Sequence, residues 1–151
     1  MKVRAFAFLL TTALCFSACN KNTVSNIPSI LLVSFGPGIM QANVDVDSII
    51  FNIADGDADL GNNASSQIYW KDSRYDTGFT ATPFPAIDQS IEIAKKGLTA
   101  VCTFYPVPQP TPRPDSLHQL LGDTLTYEFY IKDRAGNSSN HIITSKLIVR
   151  L

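Results

Sequence analysis

The 151-residue sequence predicts an all-β sandwich of about seven strands, and three observations carry that expectation. Seven short runs are alternately or continuously apolar, the pattern of strands buried on one or both faces. Clusters of Gly, Pro, Asn and Asp punctuate those runs. Nowhere do apolar residues recur with the spacing of an amphipathic helix. With hydrophobic residues at 45% and charged ones at 17%, the composition is that of a chain able to close a core rather than of a disordered one.

The first run, Ile30-Leu31-Leu32-Val33-Ser34-Phe35, is β-prone and is stopped by Gly36-Pro37-Gly38. Ser48 to Ile53 follows, with Ile49, Phe51 and Ile53 on one face and Asn52 on the other. Gln67 to Lys71 sets Ile68 and Trp70 against Tyr69 and Lys71, and Ser90 to Ala94 alternates around Ile91 and Ile93. Leu98 to Tyr105 is apolar apart from its threonines. Leu125 to Ile131 is the clearest strand, with Leu125, Tyr127, Phe129 and Ile131 alternating with Thr126, Glu128 and Tyr130. His141 to Leu151 closes the chain, with Ile143, Leu147, Val149 and Leu151 expected on one face. Between the fifth and sixth runs stand Pro106, Pro108, Pro110, Pro112 and Pro114. Proline fixes φ and extends its predecessor, so this segment reads as a stiff surface crossing between two sheets.

The pattern resembles that of immunoglobulin-like and fibronectin type III-like sandwiches. Trp70 stands in the third strand, where such domains bury a tryptophan, and Tyr127 opens the sixth, where they carry a corner tyrosine. Leu121, six residues before Tyr127, has a spacing similar to that of fibronectin type III domains. The cysteine pair of antibody domains is missing. Cys102 is the one cysteine inside the expected sandwich and reads as a small buried hydrophobe, not a disulfide partner or a nucleophile.

The amino terminus has a different character. Lys2 and Arg4 precede an apolar stretch, Ala5 to Phe16, and then Ser17-Ala18-Cys19. This layout resembles a bacterial lipoprotein signal peptide; the stretch is too short for a permanent span, which needs about 20 residues. The resemblance implies that residues 1–18 are a signal, that Cys19 is acylated, that 19–28 form a tether and that 29–151 form the sandwich. Two or three acyl chains give stable anchoring, and Asn20 after the cysteine implies the outer membrane. Without Lys2 and Arg4 the chain keeps 10 basic against 13 acidic side chains. That balance offers no basis for binding nucleic acid.

One segment is dense in chemistry: Asp55-Gly56-Asp57-Ala58-Asp59-Leu60-Gly61. Carboxylates at alternate positions, loosened by glycine, can wrap a hard cation such as Ca²⁺, which takes six to eight oxygens. An EF-hand loop counted from Asp55 fails, with Leu60 where glycine belongs and Ser66 where the closing glutamate belongs. In an immunoglobulin-like topology, however, the loop after the second strand lies beside the loop after the sixth. That brings Asp133, of Asp133-Arg134-Ala135-Gly136-Asn137-Ser138-Ser139-Asn140, toward Asp55, Asp57 and Asp59. Both loops also fit ordinary tight turns with ion pairs to Arg134, and the residue types favour that reading.

Phe51 to Gly61 resembles the D-G-D-G-D-L-G element of small lipoproteins of the Bacteroidota, with Ala58 in place of the middle glycine. Asp133 to Asn140 is similar to the D-x-A-G-N-x-S ending of bacterial immunoglobulin-like domains. The resemblance implies a fold and an envelope address without a defined activity. Gly-x-Ser-x-Gly, His-Glu-x-x-His, P-loop and Cys-x-x-Cys motifs are missing from the sequence. The expected function is therefore a non-catalytic envelope module that binds a protein or glycan. The alternatives are a small glycan-acting hydrolase using the acidic loop and a purely structural scaffold domain. Tyr69, Tyr75, Phe79, Phe84 and Tyr130 are the aromatic candidates for sugar stacking; core and rim packing is the reading their number favours.

Overall fold

The computed structural model of the chain describes residues 24–88 and 97–151. The signal segment, Cys19 and the strand expected at Ser90 to Ala94 lie outside the described residues. Within them run β1 (Ser29–Phe35), β2 (Ile39–Gln41), β3 (Ile49–Asp55), β4 (Gln67–Asp72), β5 (Thr80–Pro83), β6 (Leu98–Phe104), α1 (Ser116–Leu121), β7 (Asp123–Leu125), β8 (Tyr127–Lys132), β9 (Ile142–Ile143) and β10 (Leu147–Arg150).

The strands form three sheets, ordered β1-β3-β6, β5-β4-β8-β9 and β2-β10-β7. The first two face each other as an all-β sandwich. Phe51 of β3 meets Phe129 of β8 at 5.2 Å between ring centroids, and Phe104 of β6 meets Trp70 of β4 at 6.1 Å. The third sheet closes one side, with β2 parallel and β7 antiparallel to β10. Trp70, Tyr127, Phe129 and Ile131 are buried as their alternation requires.

The core-facing rows position the site. On β3 the inward residues are Ile49, Phe51, Ile53 and, as the next in phase, Asp55. On β8 they are Tyr127, Phe129 and Ile131, and the next in phase beyond the strand is Asp133, 1% exposed. Both rows thus end in a carboxylate where the period of two dictates burial.

Four expectations are corrected. The run Leu125 to Ile131 is two strands, because the Thr126 backbone leaves the ladder for Ser73: its N–H donates to Ser73 Oγ (2.9 Å) and its carbonyl accepts from Ser73 N–H (3.0 Å). The closing run is also broken. Thr144 exchanges bonds with the Tyr127 backbone through its own N–H and Oγ1 (both 2.9 Å), and beyond it the chain moves from β8 to β7. The phase changes there, so Leu147 and Val149 are buried while Ile143 and Leu151 are exposed. Leu121 is exposed as well, at the end of α1, and plays no corner role.

The proline-rich segment, finally, is more than a surface crossing. Pro106, Pro110 and Pro112 are buried, and the Val107–Pro108 bond is cis. The strap is tied down by Gln109, whose Oε1 accepts from Asp47 N–H at 2.6 Å and whose Nε2 donates to the Pro106 carbonyl at 2.8 Å. It leads into α1, which Asp115 caps by accepting from His118 N–H at 3.0 Å.

Candidate functional site

The loop after β3 and the loop after β8 meet at one pole, as the topology argument requires. Asp59 is the joint: its Oδ2 accepts from Ala135 N–H at 3.0 Å and its carbonyl from Arg134 Nε at 2.8 Å. Asp55 Oδ2 accepts from Asp59 N–H at 3.1 Å, which curls the loop back on the end of β3. Ala58 takes φ 57°, the left-handed region that glycine more often occupies. The loop therefore closes as it would with the glycine that Ala58 replaces, and Leu60 is wholly buried beneath it. Gly56 admits no side chain, since a Cβ there would run into the Val24 carbonyl; its N–H donates to the Ser25 carbonyl at 2.7 Å. The segment leading in from the amino terminus thus packs on the acidic loop.

The result is a cluster in which oxygens of Asp55, Asp57 and Asp59 lie within 4.8 Å of one another. Asp55 Oδ1, Asp57 Oδ1 and Asp59 Oδ1 are all shielded from solvent and accept no hydrogen bond among the described residues. Burial pushes the Asp55 pKa up to about 7, and the charges of Asp57, Asp59 and Asp133 push the same way. Asp59 is raised too, by burial first and then by Asp133 and Asp57, against the Ala135 amide and the Arg134 charge.

Asp133 is placed beside this cluster but is engaged differently. Its Oδ1 accepts from Asn137 N–H (2.7 Å) and its Oδ2 from Asn137 Nδ2 (2.8 Å), so it holds the turn that carries Arg134 and Ala135. Three of the four predicted metal-ligating residues converge, and the fourth braces the loop that meets them. Arg134 meets the acidic loop at Asp59, as the alternative reading of the sequence allowed; Ala135 was not legible as a site residue, because a backbone amide on another loop leaves no spacing signal.

The outward face of β4 and β8 carries a second constellation. Tyr69 and Tyr130 stack at 4.9 Å, Tyr130 and His141 at 4.4 Å, and the Phe79 ring meets Tyr130 edge-on at 5.2 Å. His141 Nδ1 lies 2.7 Å from Glu128 Oε1. Of the other aromatic candidates, Phe84 is buried in the core and Tyr75 stands elsewhere, under the Arg74 guanidinium at 5.3 Å. His141 was not a candidate, since a loop histidine shows no sign in sequence of the sheet face it folds over.

Cys102 is half-buried on β6, and burial pushes its thiol up to about 11, away from the reactive thiolate. His118 lies between Asp115 and Arg113, with Nδ1 2.5 Å from Asp115 Oδ2 and Nε2 2.7 Å from Arg113 Nη2. Arg113 can only donate, so Nε2 is the acceptor there.

The class these features define is an all-β sandwich with an acidic pole and an aromatic sheet face. No family model, no curated protein and no solved structure matches the chain. Among the described residues no helix is long and apolar enough to cross a membrane.

Proposed function

We propose that the chain is a non-catalytic module of the cell envelope, held to the outer membrane by acyl chains on Cys19, that binds a protein partner through the aromatic face of β4 and β8. The observation that carries the reading is the row of Tyr69, Tyr130 and His141 with Phe79 against it. Tyr130 is covered by a ring on each side, so it offers no open face on which a pyranose could stack. What the row presents is ring edges, phenol groups and the His141–Glu128 pair, an amphipathic surface suited to a protein interface. The strand order β1-β3-β6 over β5-β4-β8-β9 supports reading the sandwich as immunoglobulin/fibronectin III-like, with strands A, B, E facing C′, C, F, G. The non-catalytic reading is supported by Arg113 Nη2, which occupies the His118 Nε2 that a general base would need free, and by the raised thiol of Cys102.

Two measurements test this. Capture of envelope proteins by the full chain should drop at least tenfold for Tyr130→Ala, with a glycan array run in parallel. Equal capture by both proteins contradicts the reading, and array binding lost in Tyr130→Ala transfers it to glycans. Mass spectrometry should find the amino-terminal peptide beginning at an acylated Cys19; a peptide that begins at Met1, or carries no lipid, removes the anchor.

A further inference from the structure

We infer that Asp55, Asp57 and Asp59 hold a Ca²⁺ ion through their Oδ1 atoms, at the pole where the loops after β3 and β8 meet. The inference goes beyond partner binding and does not depend on it. One oxygen from each of the three carboxylates lies within 4.8 Å of the other two, and two ligands on opposite sides of Ca²⁺ stand about 5 Å apart. Proximity alone does not make a site, because acidic turns are common. The independent observation is Asp55, which is 0% exposed and whose Oδ1 accepts no hydrogen bond from any described residue. Arg134 meets the Asp59 carbonyl, not Asp55 Oδ1; removing a carboxylate oxygen from water without a donor of its own is costly, and a coordinated cation supplies the charge it lacks.

The scaffold around the three oxygens is already built. Asp55 and Asp59 each give Oδ2 to a backbone amide, of Asp59 and Ala135 respectively, which leaves the two Oδ1 atoms for the ion. Asp133 is a positioning residue: it fixes the Asn137 turn and adds negative charge without giving up its own bonds. An all-oxygen, all-carboxylate set selects a hard cation over zinc or copper. An irregular loop suits the flexible coordination of Ca²⁺ better than the strict octahedron of Mg²⁺. Water and main-chain carbonyls would complete the shell.

The test is a calorimetric titration of the chelator-stripped full chain with CaCl₂, paired with thermal melts in Ca²⁺, Mg²⁺ and NaCl at matched ionic strength. The expected result is saturable binding of one ion, with a melting temperature raised by about 5–10 °C at a hundredfold excess over Kd. Mg²⁺ should give a smaller shift and NaCl none. Asp57→Asn should lose both the heat and the shift while keeping a strand-rich circular dichroism spectrum. Asp76→Asn, at an exposed carboxylate outside the acidic loop, should keep both. Absence of saturable heat in the wild type overturns the site outright, whatever the variants do. Equal shifts in wild type and Asp57→Asn, or a shift reproduced by NaCl, overturn it as well.

Discussion

Two buried aspartates at opposite poles of the sandwich, Asp123 and Asp55, meet opposite surroundings. The core-facing row through β3 reads Asp47, Ile49, Phe51, Ile53, Asp55, and the row through β7 and β8 reads Asp123, Leu125, Tyr127, Phe129, Ile131, Asp133. Each row begins and ends in an aspartate, and the four are 0%, 0%, 2% and 1% exposed in that order. At one pole Asp123 meets Arg113 Nε at 2.9 Å and Arg74 Nη1 at 3.2 Å, and Arg74 is held in turn by Asp72 at 2.6 Å. Burial works to raise the Asp123 pKa, yet the Arg113 bonds and the Arg74 charge hold it well below the usual carboxylate range. At the other pole the groups that act on Asp55 are three more carboxylates, and its pKa is pushed up to about 7. Both are closed off from solvent, burial pushes both upward, and at Asp123 the arginines outweigh it. A carboxylate completed by arginines is architecture; one crowded by carboxylates is where the proposed cation would supply the opposite charge.

The largest effect should come from breaking the completed pole. Asp123→Ala strands the buried Arg74 guanidinium, while Arg113 can turn to solvent, and should cost about 3–5 kcal/mol in urea unfolding. A loss under about 1 kcal/mol would mean that the arginines do not depend on Asp123. The folded pKa of Asp123 is depressed, so its contribution is present above the unfolded value of 3.8 and fades as the pH falls.

Asp47 sharpens the contrast, since it shares the pole of Asp123 but no described side chain reaches either of its oxygens, and the Ser48 amide alone works against its burial. Burial pushes it up from 3.8 to about 6. The native state then holds the proton more tightly than the unfolded chain does, so stability is full below pH 3.8 and is lost as the pH rises through about 6. Asp47→Asn should therefore be more stable than wild type by up to about 3 kcal/mol at pH 8, with the gap closing near pH 3.5. Urea melts across that range check it, and a gap independent of pH would place a counter-charge beside Asp47. The smallest effect is expected at Ala58, where glycine would relieve the positive φ but lose a buried methyl. Ala58→Gly should shift stability by less than about 1 kcal/mol and leave Ca²⁺ binding intact.

What was legible in sequence follows from the same physics. β3, β4 and β8 are plain because one face is buried and the other is not, which writes a period of two into Ile49 to Ile53, Ile68 to Trp70 and Tyr127 to Ile131. β2 and β5 span only three and four residues with a single clearly buried position between them, Met40, so they carry no period to read. α1 has no buried residue and hence no apolar stripe; its mark is the Asp115 cap rather than periodicity. The acidic loop was visible because its carboxylates are neighbours in sequence at alternate positions. The Asp123 network was invisible, because Arg74 lies 49 residues away and only the fold unites them. The bracing role of Asp133 was hidden for a similar reason, since its bonds to Asn137 depend on the turn and not on the composition of the loop.

The central claim is that Asp55, Asp57 and Asp59 are held together at a cost that a cation removes. Melting temperatures of wild type and Asp57→Asn, each in chelator and in saturating CaCl₂, test it most directly. In chelator the variant has one fewer repelling charge and should melt above wild type; in Ca²⁺ it has lost a ligand and should melt below it. An order of stability that reverses between the two conditions is the result this account predicts. An order that stays the same, with neither protein moved by Ca²⁺, would contradict it and leave the acidic pole as turn architecture.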